Sequence, residues 1–367
     1  MRFFVAVAGG FLLLFAVTSM IPGVLQAGEV PSNSGYTLLS PIRSGNLTVF
    51  PVVNSGKAYN TSDFLTLDEG LRSGDVVVTE AGQARGLIRR RNGHPRPVDV
   101  AGGGAEVNRL VLVNNSTRPL LLLAGEIVTG GKQDRVIGKD RIVPAESDPV
   151  DLSVFCVEPG RWVGASDKFE PRTSAGLLAS PVVRGKAMGA KDQEQVWANV
   201  RKSQSAMAAT VNTEDAQIHS TTSYARVMEN KDVQKMVDAV AAPVERNYES
   251  VIHQLRDKNA VGVVVAVNGD IVWADLFAST QLLQKYWPKL IRSYATDAVV
   301  TRAKGGEVSP REAQRFLDNL EGRHETSDTE PGVYRQTERN GDGFKVFELT
   351  SLLPKTGFPV HIAKMAD

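Results

Sequence analysis

The fold of the second half of the chain is set most clearly by the stretch VGVVVAVNGDIVWADLF, residues 261–277. Two runs rich in β-branched residues, 261–267 and 271–277, flank Asn268-Gly269-Asp270. Because Asn-Gly adopts the positive φ angles of a type I′ turn at low cost, this stretch predicts a β-hairpin. Apolar residues recur at three- and four-residue spacing from Leu282 to Tyr294, which predicts a helix directly after it.

The segments on either side of this hairpin–helix unit complete the second half. Before it, apolar residues at helical spacing predict helices around Val196–Val200 and from Val233 to Leu255. The Ser/Thr/Ala-rich span 203–223 between them is interpreted as a mobile loop, long enough to carry function. After it, short closing strands are predicted at 333–337, 344–349 and 360–362. The helical and hairpin–helix part therefore spans 190–362.

The first half, residues 35–165, has a different pattern. Short apolar runs are separated by turn residues such as Gly102-Gly103-Gly104 and Asn114-Asn115-Ser116. Many short strands at this spacing favour a β-sandwich or a barrel-like core. The predicted fold class is α+β: a β-rich half followed by helices, a hairpin–helix unit and short C-terminal strands.

Composition excludes several classes of protein. The chain has 367 residues, a net charge of +1 and a single cysteine. The near-zero charge argues against a nucleic-acid binder that works through bulk positive charge. One cysteine cannot form an intramolecular disulfide or a Cys-pair zinc site. The histidines show no pair at metal-ligand spacing, and nucleotide-binding glycine motifs are absent. Neither a metal nor another cofactor is predicted.

The N-terminal segment resembles an export signal. Arg2 is followed by an uncharged, apolar run from Phe3 to Gly28, and Ala27 lies where a small residue is wanted for cleavage. We expect residues 1–27 to be a signal peptide and the protein to be exported to the periplasm or the extracellular space. The alternative is that this segment stays uncleaved. It is long enough to span a bilayer, and membrane contact is expected only in that case.

The candidate functional residues are concentrated in the segment from Ala124 to Trp162. It contains the runs GEIVTGGKQDR, residues 125–135, and FCVEPGRW, residues 155–162. Glycine backbone N–H groups and neighbouring cations are groups that hold a carboxylate or a phosphate. The predicted ligand-binding residues are Glu126, Gly130, Gly131, Lys132, Gln133, Arg135, Arg161 and Trp162.

Three interpretations of these residues stay open. They form a site for a small anionic ligand or a protein partner, with Trp162 giving an apolar face. They form a buried polar network that fixes two strands, with Arg161 paired to Glu126 or Glu158. They belong to a hydrolase or transferase whose nucleophile or base is Cys156, Glu126 or Glu158. A catalytic Cys156 needs a histidine brought in by the fold, and His253 and His361 are the candidates.

A basic patch lies outside this segment, at Arg85, Arg89, Arg90, Arg91 and Arg96 around Asn92-Gly93. It is interpreted either as a solvated hairpin tip or as a contact for an anionic glycan, a lipid headgroup or phosphate.

The two runs of the middle segment resemble the ARG and Rhodanese-Phosphatase-superfamily-associated protein domain family, whose function is largely uncharacterised. Further similarity lies in Val267-Asn268-Gly269, Asp275-Leu276-Phe277, 286–290 and Ser293-Tyr294. The resemblance implies one family domain over 35–362. The association that gives the family its name, with ADP-ribosylglycohydrolases and with rhodanese- and phosphatase-like proteins, implies ADP-ribose- or phosphate-linked chemistry without establishing a reaction.

Overall fold

The computed structural model of the chain describes residues 35–56, 58–84, 87–97, 105–166, 168–171, 176–211, 216–254, 259–301 and 305–367. Its strands are β1 (Tyr36–Leu38), β2 (Ile42–Ser44), β3 (Leu47–Asn54), β4 (Leu65–Thr66), β5 (Val76–Glu80), β6 (Ile88–Arg91), β7 (His94–Pro97), β8 (Arg109–Asn114), β9 (Leu120–Leu122), β10 (Ile127–Gly130), β11 (Arg135–Ile137), β12 (Arg141–Val143), β13 (Val150–Cys156), β14 (Phe169–Glu170), β15 (Asn259–Val267), β16 (Asp270–Phe277), β17 (His324–Glu330), β18 (Tyr334–Gly341), β19 (Phe344–Ser351) and β20 (Pro359–Ala366). Its α-helices are α1 (Leu67–Ser73), α2 (Pro181–Gly185), α3 (Gln193–Val211), α4 (Ala216–Ser220), α5 (Tyr224–Glu229), α6 (Lys231–Gln254), α7 (Thr280–Val300) and α8 (Pro310–Asp318).

The predicted hairpin is confirmed. β15 and β16 pair antiparallel, with Val267 opposite Asp270. Asn268 and Gly269 both have positive φ angles, 56° and 84°, as a type I′ turn requires. The helix predicted to follow is α7, which begins after Ser279, whose side chain accepts a hydrogen bond from the backbone N–H of Leu282.

The hairpin lies in the middle of a large sheet that joins strands from both ends of the described chain. Its strand order is β1-β3-β15-β16-β20-β19-β18-β17, and β2 also pairs with β3. Alternate residues of β16 face opposite layers, as the two-residue period of a strand demands. Trp273 and Phe277 belong to the apolar core that includes residues of α6 and α7, whereas Ala274 and Leu276 belong to the core that includes Ala313 and Leu317 of α8.

The β-rich half forms a barrel, which confirms one of its two predicted architectures. Six strands close in the order β10-β11-β13-β8-β5-β14, and β12, β9 and β4 form a small sheet beside them. Residues of both sheets share one apolar core, which includes Val78, Leu112, Leu120 and Val143. The fold class is α+β, as predicted.

The prediction of a loop over 203–223 is wrong for much of its length. α3 continues to Val211, and α4 and α5 follow at Ala216–Ser220 and Tyr224–Glu229. The Ser/Thr content suggested a loop, but two features of the sequence favour a helix. Val196, Val200 and Met207 lie on one buried face at helical spacing, and the alanines between them have the highest helix propensity.

The closing strands are longer than predicted. β18, β19 and β20 each have eight residues. β17 was missed because nearly every one of its residues is exposed, so it lacks the apolar alternation that signals a strand. It pairs along its whole length with β18 and forms the edge of the large sheet.

The predicted signal peptide, residues 1–27, lies outside the described residues. Within the described ranges, no helix combines the length and the apolar character needed to cross a bilayer.

Candidate functional site

The two runs of the middle segment meet at one end of the barrel. We call the group formed there by Glu80, Lys132, Gln133, Asp134, Arg135, Glu158, Arg161 and Trp162 the barrel-end cluster. β11 pairs with β13, which places Arg135 opposite Cys156. The Gln133 side-chain amide donates to the carbonyl oxygen of Glu158 at 3.2 Å, and the Asp134 backbone N–H donates to the Glu158 carboxylate at 3.1 Å. The structure therefore brings together most of the residues predicted to bind a ligand.

Arg161 is held by carboxylates and by the glycine backbone. Its guanidinium lies 2.6 Å from the Glu158 carboxylate and 3.5 Å from that of Asp134. It also donates to the carbonyl oxygens of Gly130 and Gly131. Pairing of Arg161 with Glu158 was one of the open interpretations. This ion pair fixes the end of the strand, so the Arg161 guanidinium is not available for a ligand.

Arg135 has a different environment. Its side chain is fully buried, and Nη1 donates to the carbonyl oxygen of Gln133 at 2.7 Å. Nη2 lies 3.7 Å from Glu80, beyond hydrogen-bond distance, and neither Nη2 nor Nε has a hydrogen-bond partner in the described part of the chain. Burial lowers the pKa of Arg135. Nε and Nη2 form the side of a guanidinium that binds carboxylates and phosphates with two parallel hydrogen bonds.

The partly exposed side chain of Trp162 lies beside this buried cation. The indole is 43% exposed, the Lys132 ammonium is 4.9 Å from its ring centroid, and the Arg135 guanidinium carbon is 6.0 Å from it. These contacts are cation–π interactions. The indole and the two cations therefore lie close together, with Lys132 and Trp162 near the surface and Arg135 buried.

Gly130 and Gly131 provide the tight backbone on which this arrangement depends. Their φ angles are 133° and 47°. A Cβ added to Gly131 would come within 2.6 Å of the Glu80 carboxylate. That carboxylate accepts a hydrogen bond from the Lys132 backbone N–H at 2.8 Å, so the glycine N–H groups are not the donors that hold it.

Cys156 does not have the environment of a nucleophile. The thiol is buried, and burial raises its pKa, so the thiolate is disfavoured. His361 contacts other residues, and His253 is an exposed residue near the end of α6. Neither histidine activates the thiol in this geometry.

Glu126 was predicted with this group but contacts a different one. It lies just before β10, and its carboxylate pairs with Lys289 of α7, which also pairs with Asp68 of α1. Burial raises the pKa of Glu126 to about 7, although the Lys289 ammonium opposes this effect. A cavity of about 190 Å³ reaches Lys289 from the side of α6.

A second set of buried charges lies beside Glu126. Arg184 donates to both carboxylate oxygens of Asp275, at 3.0 and 3.1 Å, and to the carbonyl oxygen of Ala124. His361 lies between two carboxylates, 2.6 Å from Asp140 and 3.1 Å from Asp275. Tyr294 also donates to Asp275. We call Asp68, Glu126, Asp140, Arg184, Asp275, Lys289, Tyr294 and His361 the junction cluster, because they join the barrel to the large sheet and α7.

The charges of the junction cluster compensate one another. Burial alone lowers the pKa of His361, but the facing carboxylates raise it to about 9, so both ring nitrogens carry protons at neutral pH. Burial raises the pKa of Asp275, but Arg184 and His361 hold it well below its usual range. No buried side-chain nitrogen or oxygen of these eight residues lacks a partner in the described ranges.

Sequence reasoning found only Glu126 of this cluster as a site residue and named His361 for a different role. Asp275, Lys289 and Tyr294 were noted as points of resemblance, but without a role. Their shared signal is a charged or hydroxyl residue inside an otherwise apolar strand or helix face, which indicates a buried partner. Asp68, Asp140 and Arg184 gave no such signal, because Asp68 and Arg184 lie in helices of only seven and five residues and Asp140 lies between β11 and β12, outside any strand.

Within the described ranges, no group of three or more His, Cys, Asp or Glu side chains is arranged to hold a metal ion.

The comparison with known proteins identifies the family. Among proteins of curated function and among solved structures, nothing matches the chain. The family model of the ARG and Rhodanese-Phosphatase-superfamily-associated Protein domain matches residues 35–363, nearly the whole chain. The resemblance seen in the two motifs is thereby confirmed, and the chain belongs to this family.

Proposed function

We propose that the protein is an exported ligand-binding module, and that a small anionic ligand, a carboxylate or a phosphate, binds at the barrel-end cluster. The observation that carries the proposal is the buried side of Arg135, whose Nε and Nη2 have no hydrogen-bond partner in the described part of the chain. A buried donor without a partner costs roughly 1–3 kcal/mol, and more when it is charged. An anion that accepts from both nitrogens removes this cost.

The neighbours of Arg135 favour a small ligand with an anionic end. Lys132 supplies a second cation, and Trp162 supplies an apolar face. Arg161 is already neutralised by Glu158 and Asp134, so it positions the loop that carries Trp162. Because Arg135 is fully buried, the ligand reaches it when the indole of Trp162 moves aside.

Export is the part of the proposal that rests on sequence. The basic start at Arg2, the apolar run and the small residue Ala27 support a cleaved signal peptide. An exported protein of this kind meets its ligand in the periplasm or outside the cell.

The binding proposal is tested by titration calorimetry and thermal unfolding with three probes: inorganic phosphate, citrate and ADP-ribose. We expect at least one of them to bind, and Lys132→Ala and Trp162→Ala to weaken that binding by roughly tenfold each, the effect of removing one charged or aromatic contact. Lys202→Ala removes an exposed charge from α3 and is the matched control. No heat and no stabilisation with any probe would contradict the proposal, as would equal binding by all variants.

A second candidate function, a hydrolase or transferase, is favoured by the junction cluster. Glu126 has a pKa near neutrality, and its partner Lys289 lines the 190 Å³ cavity. A carboxyl group that titrates near pH 7 can exchange a proton with a substrate. Recovery of ADP-ribose after incubation separates the two candidates: consumption that is lost in Glu126→Gln supports the enzyme, and intact ADP-ribose supports binding alone.

A further inference from the structure

The hairpin formed by β6 and β7 stands apart from both large sheets. It is a two-stranded sheet of its own, and its turn is Asn92-Gly93, with φ angles of 51° and 76°. The side chain of Asn115 bonds the backbone of β6 at Ile88 and Arg90, and the Glu146 carboxylate accepts from the Gly93 N–H. These polar contacts hold the hairpin against the barrel.

The pairing register gathers basic side chains on one face of this hairpin. Arg89 lies opposite Arg96, and Arg91 lies opposite His94. Directly opposed residues project from the same face, and so do residues two apart along a strand. One face therefore carries Arg89, Arg91, His94 and Arg96. We call it the arginine face.

The other face of the hairpin is not an apolar packing surface. It carries Ile88, Arg90, Pro95 and Pro97, and Ile88 is 52% exposed. Every residue of β7 is exposed. The hairpin thus buries little apolar surface, and a two-stranded ribbon of this kind has marginal stability of its own.

The charges of the arginine face are only partly neutralised. Arg89 pairs with Asp148. In the described part of the chain, neither Arg91 nor Arg96 forms an ion pair with a carboxylate. These two residues are diagonal neighbours across the strands, so their Cα atoms are roughly 7–8 Å apart. Arg96 also lies directly opposite Arg89, and like charges in directly opposed positions destabilise a strand pair, so an anion lying over these arginines reduces the repulsion.

We propose that the arginine face is a binding surface for a linear acidic polysaccharide, one that carries sulfate or carboxylate groups on successive sugars. The three arginines lie along one narrow ribbon, Arg89 and Arg91 on β6 and Arg96 on β7, which fits charges repeated along a single extended chain. The apolar residues of the hairpin lie on the opposite face, so the arginine face has nothing to insert into a bilayer. It also lacks an aromatic ring on which a nucleic-acid base could stack.

The test measures binding of a heparin octasaccharide to the purified protein by calorimetry. Arg91→Ser/Arg96→Ser removes two exposed charges from the arginine face. Arg201→Ser/Arg335→Ser removes two exposed charges elsewhere and is the matched control. We expect the first variant to lose roughly tenfold or more in affinity, the control to stay within about twofold, and added salt to weaken binding by the intact protein. Thermal unfolding of both variants verifies that the fold is kept.

Two outcomes would overturn the proposal. In the first, the octasaccharide fails to bind, or it binds the Arg91→Ser/Arg96→Ser variant as tightly as the intact protein. In the second, a DNA duplex or vesicles of phosphatidylcholine and phosphatidylglycerol bind more tightly than the octasaccharide through the same two arginines. Retained binding by Arg91→Lys/Arg96→Lys supports an electrostatic contact, since lysine keeps the charge.

Discussion

The barrel-end cluster and the junction cluster contain similar residue types, but they differ in whether their buried polar side-chain atoms have hydrogen-bond partners. Both combine carboxylates with guanidinium and ammonium groups in surroundings that are largely buried. In the junction cluster every buried polar side-chain atom has a partner within the described ranges. In the barrel-end cluster five such atoms have none: Glu80 Oε2, Gln133 Oε1, Arg135 Nε and Nη2, and Arg161 Nε.

This difference separates a group of charges that maintains the fold from one that is available for recognition. A fully paired buried network restricts how its elements pack, and a ligand that binds there has to displace an existing partner. A network with unpaired buried atoms is destabilising by itself, and a bound ligand recovers that cost. Substitutions in each cluster and the pH dependence of stability test whether the two clusters differ in this way.

The largest effect is expected for Asp275→Ala. Asp275 accepts hydrogen bonds from Arg184, His361 and Tyr294, so its removal leaves two buried cations without their shared anion. Breaking a buried ion pair in this way typically destabilises by about 3–5 kcal/mol. Urea unfolding followed by circular dichroism measures the loss.

The control for this variant is Asp270→Ala, which removes an exposed carboxylate from the first residue of the same strand. We expect it to leave the free energy of unfolding almost unchanged. Equal stability of Asp275→Ala and Asp270→Ala would show that the junction cluster does not maintain the fold, and the contrast between the two clusters would fail.

The pH dependence of stability is the next largest effect. In the folded protein His361 holds its proton up to about pH 9, whereas an unperturbed histidine releases it near pH 6.5. The stabilisation by the protonated ring is therefore complete below pH 6.5 and is lost as the pH rises through 9. A shift of this size corresponds to about 3 kcal/mol. The free energy of unfolding, measured in steps between these two pH values, is expected to fall accordingly.

His361→Gln provides the control for the pH experiment. Glutamine keeps polar contacts but does not titrate, so the variant is less stable at pH 6.5 and its stability changes less up to pH 9. A stability profile with the same slope in both proteins would mean that another group causes the pH dependence.

The sequence predicted best those elements whose local pattern and tertiary environment agree. The 261–277 hairpin was correct because Asn-Gly sets the turn and both strands are apolar. β17 was missed because an edge strand needs no buried face, and the helical end of α3 was missed because its buried face carries only a few apolar residues.

The candidate site was predictable only within one continuous segment. Gln133, Arg135 and Arg161 come together because β11 and β13 are paired neighbours, and their motifs marked both strands. Glu126 is close to them in sequence, yet its contacts come from Asp68 and Lys289, far away along the chain. Such partners depend on how the barrel docks on the large sheet, and no spacing rule within a segment encodes that docking.

The smallest effect is expected at the barrel-end cluster, from Glu80→Gln/Arg135→Met. Removing Arg135 alone would leave the buried Glu80 carboxylate unpaired, so both charges are replaced together. The double variant loses one hydrogen bond to Gln133 and a 3.7 Å ion pair, but it also removes three buried charged atoms that lack a hydrogen-bond partner.

Replacing a buried ion pair with groups of similar size is often neutral or stabilising. We therefore expect a change within about 1 kcal/mol in urea unfolding, together with loss of binding to whichever anionic probe the intact protein binds. A loss of stability as large as that of Asp275→Ala would show that the barrel-end cluster is also architectural, because its charges would then be as well compensated as those at the junction.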